Sequence, residues 1–281
     1  MKITISKFAG FCSGAKKAYE ITTNIAKENN KNLHILGDLL HNKDVIKKIE
    51  SLGVKKVKKV QDIKKGRIVI TAHGDGKNVF DEAQNKGVEV VNTTCPKVIK
   101  IQQLVKKFHR DNLPIVIVGD KNHKEVKGIN GWCNKSAVII SRLEEIKNIN
   151  FDKLKNAVIV SQTTQNLKKF QEIAKVLQEK IKNTKVFNTV CDATRNRQGE
   201  TRKIAKENDA VIVIGGEKSA NSQKLFEIAK ELNPKTFFIE NAEQLNLKNF
   251  INLEKVAITA GASTPDWVIQ ETYQKLKTLK S

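Results

Sequence analysis

The 281-residue chain carries a threefold internal repeat, and no other feature of the sequence restricts its fold so strongly. Cys12, Cys95 and Cys191 each open one copy. After Cys12 come helix-forming residues, an apolar run that ends at Gly37, and His41 four residues on. Cys95 leads in the same way to Gly119 and His123, and Cys191 to Gly215 and Ser219. Asn92-Thr93-Thr94-Cys95 matches Asn188-Thr189-Val190-Cys191. Each copy closes on a second apolar run followed by small or polar residues: Ile68 to Gly74, Val158 to Thr164, and Val256 to Ser263. Self-similarity at a fixed period sets the architecture before any local reading does.

Short β-branched runs alternating with helical stretches predict βα units and a parallel sheet in each copy. The expected fold is three small α/β domains with parallel-type sheets around a pseudo-threefold axis. Their expected ranges are 13–95, 96–187, and 188–281 together with 1–12. In such sheets ligands bind outside the carboxyl ends of the strands, where the polar positions of all three copies fall. The repeat therefore places three thiols and their polar neighbours in one shared cleft.

A chain of this length buries a sizeable core without disulfide staples. Four cysteines and no secretory pattern point to a reducing cytoplasm, and no apolar run is long enough to span a bilayer. The formal net charge of +21 reads first as a lysine-rich solvated surface. Nucleic acid is not the expected partner, because no basic stretch is interleaved with aromatics and no nucleic-acid module pattern is present. An anionic substrate or an acidic protein partner fits the strand-end residues better.

A lone cysteine is usually an inert small hydrophobe, which is the reading for Cys133, outside the repeat. Three thiols at corresponding positions point instead to a centre with one open position. Thiolates suit iron–sulfur clusters and zinc alike. His41 and His123 share a repeat position and His73 ends another strand, whereas His34 and His109 stand outside the pattern. With Asn42, Thr163, Ser219, Asn221 and Ser263 they form a donor set suited to phosphate or diphosphate. Glu125, a carboxylate in this cluster, has Asn221 as its counterpart in the third copy. Beside bound phosphate it would face another part of the substrate, as a proton donor; the structural alternative is a helix-start cap. Gly10 to Lys16 lacks the P-loop spacing, and Gly74-Asp75-Gly76 lacks the third glycine of a dinucleotide site.

These words in this order resemble the 4-hydroxy-3-methylbut-2-enyl diphosphate reductase family. The resemblance rests on Gly10-Phe11-Cys12, Leu40-His41-Asn42, Ala72-His73-Gly74, Thr94-Cys95-Pro96, His123-Lys124-Glu125-Val126 and Gln162-Thr163-Thr164. It continues through Cys191-Asp192-Ala193-Thr194, Asn196-Arg197-Gln198, Ser219-Ala220-Asn221-Ser222 and Thr259 to Ser263. It implies a [4Fe–4S] cluster at the centre of the three domains, held by Cys12, Cys95 and Cys191, with a fourth iron free of protein ligands. It implies that His41, His73, His123, Ser219, Ala220, Asn221 and Ser263 hold a substrate diphosphate, and that Thr163 and the proton donor Glu125 lie near the substrate hydroxyl. The implied products are isopentenyl and dimethylallyl diphosphates, and the implied electron donor is reduced ferredoxin or flavodoxin. The family usually has Pro where Lys124 stands, Ser at Ala220, where a backbone contact remains, and Tyr at Asp192. Two rival readings of the same residues are a zinc-dependent phosphate-ester hydrolase and a basic nucleic-acid-binding protein with an incidental cluster.

Overall fold

A computed structural model describes residues 1–28 and 32–279. In chain order the elements are β1 (Lys2–Ile5), α1 (Ser13–Lys27), β2 (Leu33–Leu36), α2 (Lys43–Ser51), β3 (Lys55–Val57), β4 (Arg67–Ile70), α3 (Lys77–Asn85) and β5 (Glu89–Asn92). There follow α4 (Pro96–Arg110), β6 (Ile115–Val118), α5 (Lys124–Asn130), β7 (Val138–Ile140), β8 (Asn156–Ser161), α6 (Leu167–Lys180) and β9 (Asn183–Val186). The last are α7 (Asp192–Glu207), β10 (Ala210–Ile214), α8 (Ala220–Leu232), β11 (Thr236–Ile239), β12 (Lys255–Ala260) and α9 (Asp266–Lys277).

The strands form three four-stranded sheets, ordered β3-β2-β4-β5, β7-β6-β8-β9 and β11-β10-β12-β1, with every pair parallel. The orders are one topology written three times. In each, the first strand of the copy lies beside the third, the second takes one edge, and a fourth takes the other. In the third sheet β1, from the start of the chain, fills the fourth place against β12. Successive crossovers leave the first and third strands in opposite directions, so each sheet has a topological switch point between them, where loops splay at the carboxyl ends.

By internal contacts the described chain divides into two compact units. One comprises 1–19, 40–51 and 192–281, and holds the third sheet. Its central strands β10 and β12 are continuous apolar runs because both faces are covered. Val211, Val213 and Ala257 pack under Leu225 and Ala229 of α8 and Ile204 of α7. Ile212, Ile214 and Ile258 face Val268, Ile269 and Leu276 of α9. This unit also takes α2, which follows the first strand of the first copy.

The other unit comprises 20–39 and 52–191 and contains the first two sheets. In the second sheet Val116, Val118 and Ile159 pack on Phe170, Ile173 and Leu177 of α6. The opposite face, with Ile117, Val158 and Val160, packs on α4 and α5 and encloses Cys133, which is fully buried. In the first sheet Ile68 and Ile70 pack with Ala83 of α3. Among the described residues no helix is long and apolar enough to cross a membrane.

Two glycines test this packing in opposite directions. A Cβ on Gly131 would lie 2.5 Å from the Gly76 Cα, backbone against backbone, so Gly131→Ala is expected to lower stability by about 1–3 kcal/mol. Gly199 lies exposed within α7 with open space at its Cβ position, so Gly199→Ala is expected to raise stability by roughly 0.5–1 kcal/mol. Thermal unfolding of the two variants checks both signs.

Candidate active site

Every repeat cysteine follows the fourth strand of a sheet and stands at the start of a helix. Cys12 precedes α1, Cys95 is the N-cap of α4, and Cys191 precedes α7. In each case the backbone N–H donates to the segment that leaves the third strand of the same sheet. Cys12 donates to the Ala262 carbonyl at 3.1 Å, Cys95 to Ala72 at 3.0 Å and Cys191 to Thr163 at 2.9 Å. Parallel pairing of the third and fourth strands brings these ends side by side. Each sulfur therefore lies at the partially positive end of a helix. The Ala15 N–H donates to the Cys12 Sγ at 3.4 Å. All three repeat cysteines are partly exposed, unlike Cys133.

In the first unit, His41, Ser219, Ala220, Asn221 and Ser263 gather around the switch point between β10 and β12. The 40–42 turn lies directly on Gly216: a Cβ there would meet the His41 carbonyl oxygen at 2.2 Å. The Ser263 Oγ donates to that carbonyl at 3.3 Å. Ser219 is the N-cap of α8, its Oγ accepting from the Ser222 N–H. The Ser222 side chain occupies space left by the absent Cβ atoms of Gly215 and Gly261. Ala220 opens α8, where main-chain N–H groups lack intrahelical partners. Asn221 is 4% exposed, and neither its Nδ2 nor its Oδ1 has a hydrogen-bond partner. A buried carboxamide left unmatched at a helix start is an exception to the general pairing of buried polar atoms. The Asn42 Oδ1 caps α2, accepting from the Asp44 and Val45 N–H groups at 3.0 Å.

In the second unit, His73, His123, Glu125, Thr163, Cys95 and Cys191 stand at the strand ends of the first two sheets. The His73 and His123 rings meet edge to face, 5.7 Å between centroids. The His123 Nδ1 caps α5 by accepting from the Glu125 N–H at 3.2 Å. The cap is therefore the histidine, and the Glu125 carboxylate is left for something else. It is 2% exposed and is gripped by one residue: the Thr163 N–H donates to Oε1 at 2.6 Å and the Thr163 hydroxyl to Oε2 at 2.7 Å. Burial pushes its pKa up to about 7, against the opposing pull of these two bonds. Thr163 thus touches both the carboxyl group and, through its carbonyl, the Cys191 main chain.

Two residues that sequence reasoning did not single out hold the Cys12 segment. Glu200 accepts from the Ser6 hydroxyl and from the Lys7 and Phe8 N–H groups. The buried Arg197 donates to the Gly10 carbonyl at 2.6 Å and to Ala193 at 3.0 Å. Both project from α7, the helix that Cys191 opens. Arg197 stands in the Asn196-Arg197-Gln198 word, so its signal was present without a role attached. Asp192, at the first position of α7, forms an ion pair with Arg195.

Among the described residues no three His, Cys, Asp or Glu side chains surround a single-ion position. A cluster does not require this, since its cysteines bind different irons. Three partly exposed thiols at helix starts, one with an N–H donor on its sulfur, are a donor set that fits an iron–sulfur cluster.

By fold the chain is a threefold α/β protein with one strand-end thiol in each repeat. The sequence model of the LytB protein family matches residues 3–277, and the chain belongs to that family. It is 40% identical over 280 residues to the 4-hydroxy-3-methylbut-2-enyl diphosphate reductase of Clostridioides difficile (strain 630), covering 99% of this chain and 100% of the relative. It is 40% identical over 281 residues to the protein of the same name from Alkaliphilus oremlandii (strain OhILAs), again covering 99% and 100%. A solved structure of (E)-4-hydroxy-3-methyl-but-2-enyl diphosphate reductase, described as the terminal enzyme of the non-mevalonate pathway, is similar with a TM-score of 0.74 and 36% identity. It is matched over 99% of this chain and 100% of its own. The E-1-hydroxy-2-methyl-but-2-enyl-4-diphosphate reductase of Plasmodium falciparum gives a TM-score of 0.91 at 27% identity, over 99% and 88%.

The carboxyl of Glu125 is open to direct measurement. Its protonated C=O infrared band is expected to fade as pH rises through about 7 and to be absent from Glu125→Gln. Thr163→Val removes a donor that favours the carboxylate and is expected to move the midpoint upward. A midpoint in the ordinary glutamate range would refute the assignment.

Proposed function

We propose that this chain carries out the reductive dehydroxylation of (E)-4-hydroxy-3-methylbut-2-enyl diphosphate to isopentenyl and dimethylallyl diphosphates, in the cytoplasm, as the last step of the methylerythritol phosphate pathway. The observation that carries the reading is the thiol device. In a chain matching the named reductases from end to end, each repeat fixes one cysteine by its main chain to the third-strand end and sets it at a helix start.

Cys12, Cys95 and Cys191 would hold a [4Fe–4S] cluster, which when bound supplies electrons one at a time and an iron position open to the substrate oxygen. The diphosphate is held by His41, His73, His123, Ser219, Asn221 and Ser263, with the Ala220 N–H at the start of α8. The unmatched Asn221 carboxamide supports this, because its Nδ2 is a donor that a phosphate oxygen would satisfy. The net reaction takes up two electrons and two protons: the C–O bond breaks, the hydroxyl leaves as water, and the allylic fragment is protonated at either end to give the two products. Glu125 is the proton source. With a pKa near 7 it keeps a proton at neutral pH that an ordinary glutamate would have lost, and Thr163 orients both carboxyl oxygens. Reduced ferredoxin or flavodoxin is the proposed electron donor, since a chain of net charge +21 attracts acidic carriers.

Protein purified without oxygen is expected to contain about four irons and four sulfides per chain and to convert the hydroxylated diphosphate when reduced. Stoichiometric zinc without sulfide, or turnover that needs no reductant, would overturn the reading. Glu125→Gln is expected to keep the iron and sulfide content while losing at least ~100-fold in turnover. Wild-type turnover is expected to fall as pH rises through about 7, where Glu125 gives up its proton.

A further inference from the structure

We infer that Lys124 is a positioning residue whose ammonium latches the His123–Glu125 turn onto the strand ends of the neighbouring repeat. The inference rests on the proposed activity, because the turn it fixes carries a diphosphate ligand and the proton donor.

The 119–125 loop leaves the first strand of the second copy and lies against the first copy. The α5 helix that follows packs on the 75–76 segment closely enough to require glycine: a Cβ on Gly131 would strike Gly76, and one on Gly128 would lie 3.2 Å from the Asp75 Cα. The Asp75 carbonyl accepts from the Trp132 Nε1 at 3.0 Å and from the Gln102 Nε2 at 3.3 Å. Into this seam runs the Lys124 side chain. Its Nζ donates to the Leu36 carbonyl, at the end of β2, at 2.5 Å and lies 3.8 Å from the Asp75 carboxylate. Only a quarter of the side chain is exposed.

The ammonium therefore ties together three strand-end segments: β2 through Leu36, the 73–76 loop through Asp75, and the 123–125 turn through its own backbone. Its chain neighbours are the two residues whose placement matters. His123 is set against His73, which stands two residues before Asp75, and Glu125 is set under Thr163. Burial lowers the ammonium's proton affinity while Asp75 and Asp38 raise it, so the lysine is held by carboxylates and a carbonyl within the protein. An ammonium so engaged works through position: moving His123 by a fraction of an ångström changes the grip on the diphosphate, whereas Glu125 keeps its own two bonds to Thr163.

Lys124→Met is expected to raise KM by roughly tenfold while kcat changes less than about twofold, with the pH limb near 7 unchanged. Lys124→Arg is expected to restore most of the KM. Asp75→Asn is expected to raise KM in the same direction, and the double variant to be no worse than Lys124→Met alone, because both act through one contact. If Asp75→Asn instead lowers KM, the ammonium is a direct ligand of the substrate and the latch is wrong; an unchanged KM in Lys124→Met also overturns it. A readout without turnover separates this from the proposed reaction. The ring-proton resonances of His73 and His123 are expected to shift in Lys124→Met and return in Lys124→Arg, and unmoved rings would refute the latch even in an active enzyme. Absence of turnover in the wild type, with the ring shifts present, would refute the reaction and leave the latch standing.

Discussion

One hydrogen bond, made three times, fixes the setting of the three repeat cysteines. In each sheet the cysteine N–H reaches the chain leaving the third strand, at Ala262, Ala72 or Thr163. The bond exists because the third and fourth strands run parallel side by side, so the chain leaving one passes the chain leaving the other. It commits the next residues to a helix, so sulfur, helix start and strand-end loop arrive as one unit. The polar ligands follow from the same geometry. The loops after the first and third strands flank a switch point, and their side chains need not compete with a neighbouring crossover for that space.

Much of this was written in the sequence because β10, β12, β6 and β8 are buried on both faces and so read as unbroken apolar runs. Their ends, and hence the strand-end residues, were legible from Gly37, Gly119 and Gly215 onward. The edge strands were not. Lys55–Val57 and Asn183–Val186 are short and largely polar, as edges must be to avoid pairing with other chains. Local patterns also could not show that the 40–51 segment packs with the third sheet, because its partners, Gly216 and Ser263, are distant in sequence. The capping role of Asn42 could not be told from a ligand role in the sequence, because the same amide serves both and only the neighbouring N–H groups show the cap.

The charged groups around the strand ends divide by what surrounds them. Glu125 is buried with two donors from one threonine, and desolvation outweighs both. Asp75 is likewise raised by burial but has Lys124 beside it. Lys43, one residue beyond Asn42, is exposed and paired with Glu240 at 2.5 Å, and Glu240 in turn accepts from the Glu217 N–H. In aligned repeats the same loop position thus carries a buried acid in one copy, a solvated cation in another and an unmatched amide in the third.

The place of β1 has a bearing on the order in which the molecule is made. The strand that leads to Cys12 is synthesised well before β12, yet among the described residues β12 is its sheet partner, and the carbonyl that secures Cys12 belongs to Ala262. On a growing chain, Cys95 and Cys191 can reach their final settings while Cys12 still lacks its anchor. Any group that required all three thiols would have to be installed after the segment carrying Ala262 had been made, since a chain stalled before it has Cys95 and Cys191 but no anchored Cys12.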